Sequence, residues 1–300
     1  VTETVTGPWL VTGARGMLGR GVLAALAADG VPALAAGRDE LDLTDRASVH
    51  GYVMTHRPAV VVNCAAWTAV DDAESREPEA LAVNGTGAGL LAQACGAAGA
   101  LLLHVSTDYV FGGDGRLPYA EDAPPEPRTA YGRTKLAGEL AVRATLPDTG
   151  YVVRTAWLYG AGGKNFVATL LRLERERETL DVVNDQWGQP TWAADLAGHL
   201  VLLGRAALAG TAPAGVYHGT SGGRTTWCAF AQEIFRLAGA DPARVRPTTS
   251  AAYPTVAHRP AYSVLGHDRW RAAGIEPIRD WRTALAAALP STTNMTHVPA

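Results

Sequence analysis

"WLVTGARGMLGRGVLAALAADG", residues 9–30, decides the fold. Its first four residues are apolar or β-branched and read as a short buried strand. Its last fourteen, "MLGRGVLAALAADG", repeat alanine and leucine at helical period. Between them Gly13, Gly16 and Gly19 form a GxxGxxG turn, which sits directly after a strand and at the opening of a helix. Such a turn needs residues without a Cβ, and the helix N-terminus behind it offers N–H groups and a dipole to a pyrophosphate. Residues 9–30 therefore predict a dinucleotide site in which Gly13, Arg15, Gly16, Met17 and Leu18 touch the cofactor.

The same alternation continues outward. "VPALAAG" (31–37), "AVVVNCA" (59–65), "ALLLHVST" (100–107) and "YVVRTAW" (151–157) read as buried strands. "RASVHGYVMTHR" (46–57), "PEALAVNGTGAGLLAQACGAAG" (78–99, as one helix) and "AYGRTKLAGELAVRAT" (130–145) read as helices. Strands and helices in strict alternation predict right-handed crossovers and a doubly wound parallel α/β sheet, whose ligands lie at the carboxyl ends of the strands. After about residue 155 the elements shorten and Gly, Pro and Trp become frequent. A smaller lobe over the strand ends is expected from 156–290, with "NDQWGQPTW" (184–192) as a loop, some later segments re-entering the first domain (1–155), and 291–300 as a flexible tail.

Composition narrows the function. Of 300 residues 47% are hydrophobic and 18% charged, and Lys+Arg 26 against Asp+Glu 29 leaves a net charge of −3, so no basic field draws nucleic acid or an anionic membrane. No apolar run is long enough for a membrane span, and "VTETVTGPWLVTG" lacks the pattern of a signal peptide, so a cytoplasmic protein is expected. Cys64, Cys95 and Cys228 are odd in number and widely spaced, which suits reduced core residues rather than disulfides or zinc.

The end of the second strand bears on the cofactor. A carboxylate there bonds a ribose 2′-OH and repels a 2′-phosphate. Here "AAGRDELDLTD" puts Arg38 at that point, so NADPH is preferred; NADH remains the alternative if Asp39 takes the ribose. Asp42 and Leu43 follow at a spacing suited to the adenine edge. At the end of the third strand Cys64, Ala65 and Ala66 are expected to pass beside the cofactor, with Asn63 at the strand's last position.

In "YGRTK", Tyr131 and Lys135 stand one helical turn apart on one face. A free tyrosine has a pKa near 10, and an ammonium one turn away favours its phenolate, so the pair suits proton transfer. A hydroxyl at the end of the fourth strand can polarise a carbonyl, and Ser106 and Thr107 compete for that place because neighbouring strand residues point to opposite faces. His104 and His218, each inside a strand, read as structural histidines, and Asn84 as a tie between helix and strand.

These residues together resemble the extended short-chain dehydrogenase/reductases, and more narrowly the dTDP-4-dehydrorhamnose reductase family of deoxysugar 4-ketoreductases. The similarity rests on ordered stretches along most of the chain: "NCAAWTAVDDAE" (63–74), "VNGTG" (83–87), "STDYVFGG" (106–113), "YGRTKLAGE" (131–139), "RTAWLYG" (154–160), "NFVATLL" (165–171), "NDQWGQPTWAADLA" (184–197), "GVYHGTSGGRTTWCAFA" (215–231) and "HRPAYSVL" (258–265). The resemblance implies a Rossmann-type domain and a smaller substrate-binding lobe. It also implies the catalytic trio Thr107, Tyr131 and Lys135, with Lys135 bonding the nicotinamide ribose.

The implied substrate is a dTDP-4-keto-6-deoxyhexose, reduced at C4, with dTDP-4-dehydrorhamnose as the expected sugar. Asp108 and Tyr109 are expected to touch it together with Thr107 and Tyr131. Trp157 is either a wall of that site or a core residue, and Asn165 either a ligand or a helix cap. Gln186 and Thr191 fall in a stretch dense in matches and are suspected contacts. Arg259 is either a partner for a pyrophosphate oxygen or a surface arginine. Some members of the family hold magnesium with acidic residues where this chain has Gly21 and Ala194, so no metal is assigned, and monomer and homodimer both stay open. The rivals are a 4-ketoreductase for another nucleotide deoxysugar or the opposite hydroxyl stereochemistry, which pocket shape decides; a dehydratase or epimerase, disfavoured because Asp108 is followed by Tyr109 rather than a glutamate; and a non-catalytic NADP-binding regulatory subunit like that of methionine adenosyltransferase, disfavoured by the presence of Tyr131 and Lys135.

Overall fold

The computed structural model describes residues 7–293. The first half alternates as its pattern predicts: β1 (Trp9–Thr12), α1 (Met17–Ala28), β2 (Ala33–Ala36), α2 (Arg46–His56), β3 (Val60–Asn63), α3 (Val70–Ser75), α4 (Glu77–Leu81), α5 (Ala88–Ala98), β4 (Leu101–Thr107), α6 (Ala130–Thr145) and β5 (Gly150–Thr155). The segment expected to be one helix over 78–99 is interrupted by a π-helical turn, Ala82–Gly87, between α4 and α5. Asn84 in that turn accepts from Trp67 N at 2.8 Å and donates to the Trp67 carbonyl and to Thr134 Oγ1, tying the loop after β3 to α6.

The second half supplies β6 (Leu158–Tyr159), α7 (Phe166–Glu176), β7 (Leu180–Val183), β8 (Trp187–Gly188), β9 (Thr191–Trp192), α8 (Ala193–Leu208), β10 (Gly215–His218), β11 (Thr225–Thr226), α9 (Trp227–Leu237), β12 (Val245–Thr248), α10 (Asp268–Ala272) and α11 (Trp281–Thr293). Residues 184–192, read as a loop, thus contain two short strands. The last helix runs three residues into the expected tail, and 294–300 lie outside the described residues.

Six strands form one sheet in the order β2-β1-β3-β4-β5-β10, all pairs parallel. Strand alternation sorts its side chains to two cores. Trp9, Val11, Val60, Val62, Val153 and Tyr217 pack with Leu18, Val22 and Leu26 of α1 and Leu196 and Leu200 of α8. Leu10, Val61, Leu102 and Val152 face the other way, against α2, α5 and α6. Covering both faces is what lets these strands be apolar throughout. β10 and α8 belong to this layer although they come late in the chain.

The rest of the second half builds a smaller lobe. Three two-stranded pairs, β8 with β11, β7 with β12 and β6 with β9, surround a core of Val167, Leu170, Phe230, Phe235 and Trp281 from α7, α9 and α11. The winding of the main sheet reverses between β1 and β3, which opens a crevice at their carboxyl ends, and the lobe stands over that end.

Candidate active site

The crevice exists because the turns after β1 and β3 nearly touch. Gly13 has φ +62°, and a Cβ there would lie 2.7 Å from Ala65 N. A Cβ on Gly19 would run into the Gly13 carbonyl. Gly16 caps α1 without a side chain, so the N–H groups of the first turn stay open to an anion. A cavity of about 760 Å³ lies over them, and all thirteen residues expected at the cofactor line it: Gly13, Arg15, Gly16, Met17, Leu18, Arg38, Asp42, Leu43, Cys64, Ala65, Ala66, Tyr131 and Lys135. The chain therefore fits a dinucleotide.

At the β2 end the charges are paired. Arg15 bonds Asp39 at 2.6 Å and Glu40 at 2.8 Å, Glu40 also accepts from Gly37 N at 2.8 Å, and Arg38 lies 3.6 Å from Asp42. Asp39, the alternative ribose partner, does not line the cavity; Arg38 does.

The reacting groups arrive from two elements. β4 ends at Thr107, whose hydroxyl donates to Asp108 Oδ1 at 3.0 Å and accepts from Tyr109 N at 3.2 Å. α6 begins at a Thr129 cap that accepts from Gly132 N at 3.0 Å, and this fixes Tyr131 in the first turn and Lys135 in the second. Lys135 is 2% exposed, and its Nζ donates to the Val105 carbonyl at 2.6 Å. Burial lowers its pKa to about 8, with Glu139 acting against that fall. Burial pushes the Tyr131 phenol up to about 12, and the partner that lowers it is the Thr107 hydroxyl. Lys135 was expected, together with the oxidised nicotinamide, to draw Tyr131 toward its phenolate; here its ammonium is engaged with a β4 carbonyl, and burial favours the neutral phenol, the form a proton donor starts from.

A second cavity, about 460 Å³, adjoins the first, and Thr68, Ser106, Tyr131, Thr155 and Leu158 line both. Thr107, Asp108, Tyr109, Trp157, Gln186 and Arg259 line the second, so seven of the nine residues expected or suspected at the substrate meet there, Tyr131 included. Asn165 does not. Its Oδ1 caps α7 through Ala168 N at 3.0 Å and its amide donates to the Gly160 and Gly163 carbonyls, which commits it to the loop before α7. Thr191 is fully buried and bonds the Gln189 carbonyl, a structural part rather than a contact.

Trp157 is the wall: held at φ +46°, it stacks on Trp227 with centroids 3.5 Å apart and faces the cavity. Arg259 is held by Asp71 at 2.6 Å. Burial raises Asp108 to about 6 against hydrogen bonds from Ser263 and Thr107, and its Oδ2 has no partner.

Sequence reasoning missed several lining groups. Thr155 Oγ1 is buried, unpartnered and on the border of the two cavities, and so is the Oγ of Ser106, which was weighed only as the rival of Thr107. The only sequence signal of Thr155 was position at a strand end, where it lies in register with Thr107. Ser263 and Trp227 line the second cavity from segments far along the chain. Of the two histidines, His218 is bonded to the Gly266 carbonyl at 3.0 Å, whereas His104 meets only Asn63, at 2.9 Å, and its Nε2 is unpartnered. Burial holds both well below the usual histidine range, so neither supplies a proton near neutrality. Gly21 and Ala194 supply no ligand for magnesium, and among the described residues no group of three or more His, Cys, Asp and Glu side chains is placed to hold a metal.

A phenol on the border of a dinucleotide-sized cavity and a second pocket, beside a threonine hydroxyl that lines the second, can hold a carbonyl oxygen and protonate it. Comparison with known proteins points the same way. The family model described as "RmlD substrate binding domain" matches residues 8–294. A dTDP-4-dehydrorhamnose reductase of Streptomyces griseus is 64% identical over 94% of this chain and 93% of its own length. A dTDP-4-keto-6-deoxy-D-glucose reductase of Streptomyces niveus is 54% identical over 95% and 98%. The crystal structure of a dTDP-4-dehydrorhamnose reductase from Bacillus anthracis in complex with NADP superposes with a TM-score of 0.90 at 36% identity, covering 95% of this chain and 99% of that one.

Proposed function

The chain belongs to the RmlD substrate-binding-domain family, and from that membership we propose that it is an NADPH-dependent reductase of the 4-keto group of a dTDP-linked 6-deoxyhexose. The observation that carries the reading is the place of Tyr131, on the border of the two cavities and beside Thr107. The sugar we assign is dTDP-4-dehydrorhamnose, reduced to dTDP-rhamnose, in keeping with the relative at 64% identity. The relative named for dTDP-4-keto-6-deoxy-D-glucose, at 54%, makes that sugar the alternative to be tested.

In this reading the GxxGxxG turn and the open N–H groups of α1 hold the pyrophosphate, and Lys135 holds the nicotinamide ribose. When bound, the reduced nicotinamide supplies the hydride. Thr107 turns its hydroxyl from Asp108 to the substrate oxygen and polarises the carbonyl. Tyr131 gives its phenolic proton to the oxygen as charge builds on it, and Lys135 stabilises the phenolate left behind. Trp157, Gln186 and Arg259 hold the sugar nucleotide so that its carbonyl reaches these groups. Residues 1–155, joined by α8 and β10, carry the cofactor, and the later lobe selects the sugar. We place the enzyme in the cytoplasm, as a monomer or homodimer; among the described residues no helix is long and apolar enough to cross a membrane.

The test is to follow cofactor absorbance with NADPH and the two dTDP-4-keto sugars, identify the products by NMR, and repeat with Tyr131→Phe. Loss of a positioned proton donor costs about 10²- to 10⁴-fold in turnover, with NADPH affinity unchanged. Oxidation of cofactor by Tyr131→Phe at the wild-type rate sinks the mechanism. Failure of every 4-keto sugar to react with wild type sinks the activity.

A further inference from the structure

Lys135 and Lys164 are the only lysines of the sequence; all other residues among the 26 Lys and Arg are arginine. Both line the cofactor cavity. Lys135 is accounted for. Lys164 closes the segment Gly160-Ala161-Gly162-Gly163-Lys164 that leads from β6 to α7, it is exposed, and among the described residues its ammonium has no hydrogen-bond or ion-pair partner. The cavity's other cations differ: Arg15 and Arg38 face acids at the β2 end, and Lys135 faces a carbonyl.

The segment that carries Lys164 is fixed at several points. Asn165 donates to the Gly160 carbonyl at 2.9 Å and the Gly163 carbonyl at 3.0 Å, and Arg20 of α1 donates to the Gly162 carbonyl. Gly163 lies against α1 closely enough that a Cβ there would come within 3.3 Å of Met17 Cε. Met17 is the first residue of α1, so Lys164 is presented beside the uncapped helix N-terminus rather than at the β2 end of the cavity.

We infer that Lys164 is a second, cationic jaw of the cofactor site, which takes a pyrophosphate oxygen from the side opposite the first turn of α1. The inference rests on the reading of this cavity as the NADPH site. An anion placed between open N–H groups and an ammonium gains from both, and a flexible stem that ends in a compact charge suits a phosphate that must enter and leave. The same loop, pinned to α1 by Arg20, leads from β6 into α7 of the later lobe.

The experiment is a set of binding titrations on the full chain with Lys164→Gln and Lys164→Ala, using NADPH, NADH, ADP-ribose and adenosine 2′-monophosphate as probes. A charge-assisted contact of about 1.5–3 kcal/mol predicts a loss of roughly tenfold or more for the three pyrophosphate-bearing probes and none for the monophosphate. A loss confined to NADPH would move Lys164 to the 2′-phosphate and overturn the assignment, as would affinities within about twofold of wild type. With only two lysines in the chain, labelling the lysine Cε with ¹³C gives a direct second readout. ADP, which has the pyrophosphate but not the nicotinamide ribose, is expected to shift the Lys164 signal and leave Lys135 in place; a shift of Lys135 alone overturns the inference. Failure of wild type to bind NADPH at all strikes the cofactor reading itself, and the inference falls with it.

Discussion

Glu139 and Arg154 form a buried ion pair, with Oε2 and Nη2 2.7 Å apart and side chains 1% and 3% exposed. Arg154 Nε adds a bond of 3.0 Å to Oε1, and the guanidinium lies over the Phe111 ring. Glu139 stands one turn beyond Lys135 as Lys135 stands one turn beyond Tyr131, so donor, ammonium and counter-charge share one face of α6. Buried ion pairs are weak grounds for stability, because desolvation offsets their attraction. This one opposes the desolvation of Lys135, whose pKa falls only to about 8.

Glu139→Gln is therefore expected to act on pH dependence. Without the carboxylate the Lys135 pKa drops further, and the ammonium is lost nearer neutrality. The alkaline limb of the kcat/KM profile then moves to lower pH, and NADPH affinity weakens over the same range. The variant is also less stable by about 3–5 kcal/mol, since Arg154 is left buried and unpaired. A double variant, Glu139→Gln with Arg154→Met, removes that unpaired charge. If its alkaline limb stays where wild type has it, the pair is structural only.

Lys135 itself lowers stability at neutral pH. Its folded value, about 8, lies below the ordinary 10.5. The unfolded chain thus binds the extra proton between those values, and stability rises with pH across that window. Below about pH 8 the full cost applies, about 3 kcal/mol for such a shift. Lys135→Met keeps the shape without the charge, so it should be inactive yet more stable than wild type at pH 7, by an amount that shrinks toward pH 10. The bond to the Val105 carbonyl, lost in the variant, trims the gain. Urea unfolding at the two pH values measures it; a less stable variant at pH 7 contradicts the account.

Asp108 gives the site an acidic limb of its own. Burial holds its carboxyl at about 6, and Oδ2 faces no partner although it lies at the sugar cavity. The carboxylate is expected to accept a sugar hydroxyl above that pH, and protonation below it removes the charged acceptor. KM for the sugar nucleotide should rise as pH falls through about 6. Asp108→Asn should raise KM about tenfold, the scale of one hydrogen bond to a charged group, and show no inflection there. An inflection that survives in Asp108→Asn belongs to another group.

What could be read in the sequence was whatever depends on neighbours along the chain. The Gly13-Gly16-Gly19 turn, the Tyr131 and Lys135 spacing and the strand end at Thr107 are local, and the structure brings them to two adjoining cavities. Asn165 showed the limit of local reading: an asparagine before a helix is a cap or a ligand, and only the Gly160 and Gly163 carbonyls decide that its amide is committed. The π-helical turn at Ala82–Gly87 has no period of its own to detect. Glu139 was within a quoted match, but its role depends on Arg154, brought alongside by the β5 layer. Thr155 became visible only as a buried hydroxyl without a partner.

Asp71 and Arg259, 188 residues apart, show the same dependence on tertiary structure and carry a last expectation. Asp71 Oδ2 accepts from Arg259 Nη2 at 2.6 Å while Oδ1 accepts from Ala257 N at 2.9 Å, so one carboxylate on α3 fixes both the cation at the sugar cavity and the backbone that carries it. The Ala257 N–H, with help from Arg259, lowers the Asp71 pKa below its ordinary 3.8, so the clasp stays charged wherever the enzyme works and adds no pH dependence of its own. In Asp71→Asn the amide oxygen still serves Ala257, but the charge that orients the guanidinium is gone. KM for the sugar nucleotide should rise about tenfold, with kcat within about twofold and NADPH affinity unaltered, because neither Tyr131 nor the GxxGxxG turn depends on this contact. Arg259→Lys should share the defect, since an ammonium lacks the forked donors that let one guanidinium face both an acid and a ligand. A matching fall in kcat with unchanged KM would mean that the clasp sets the reacting geometry rather than holding the nucleotide.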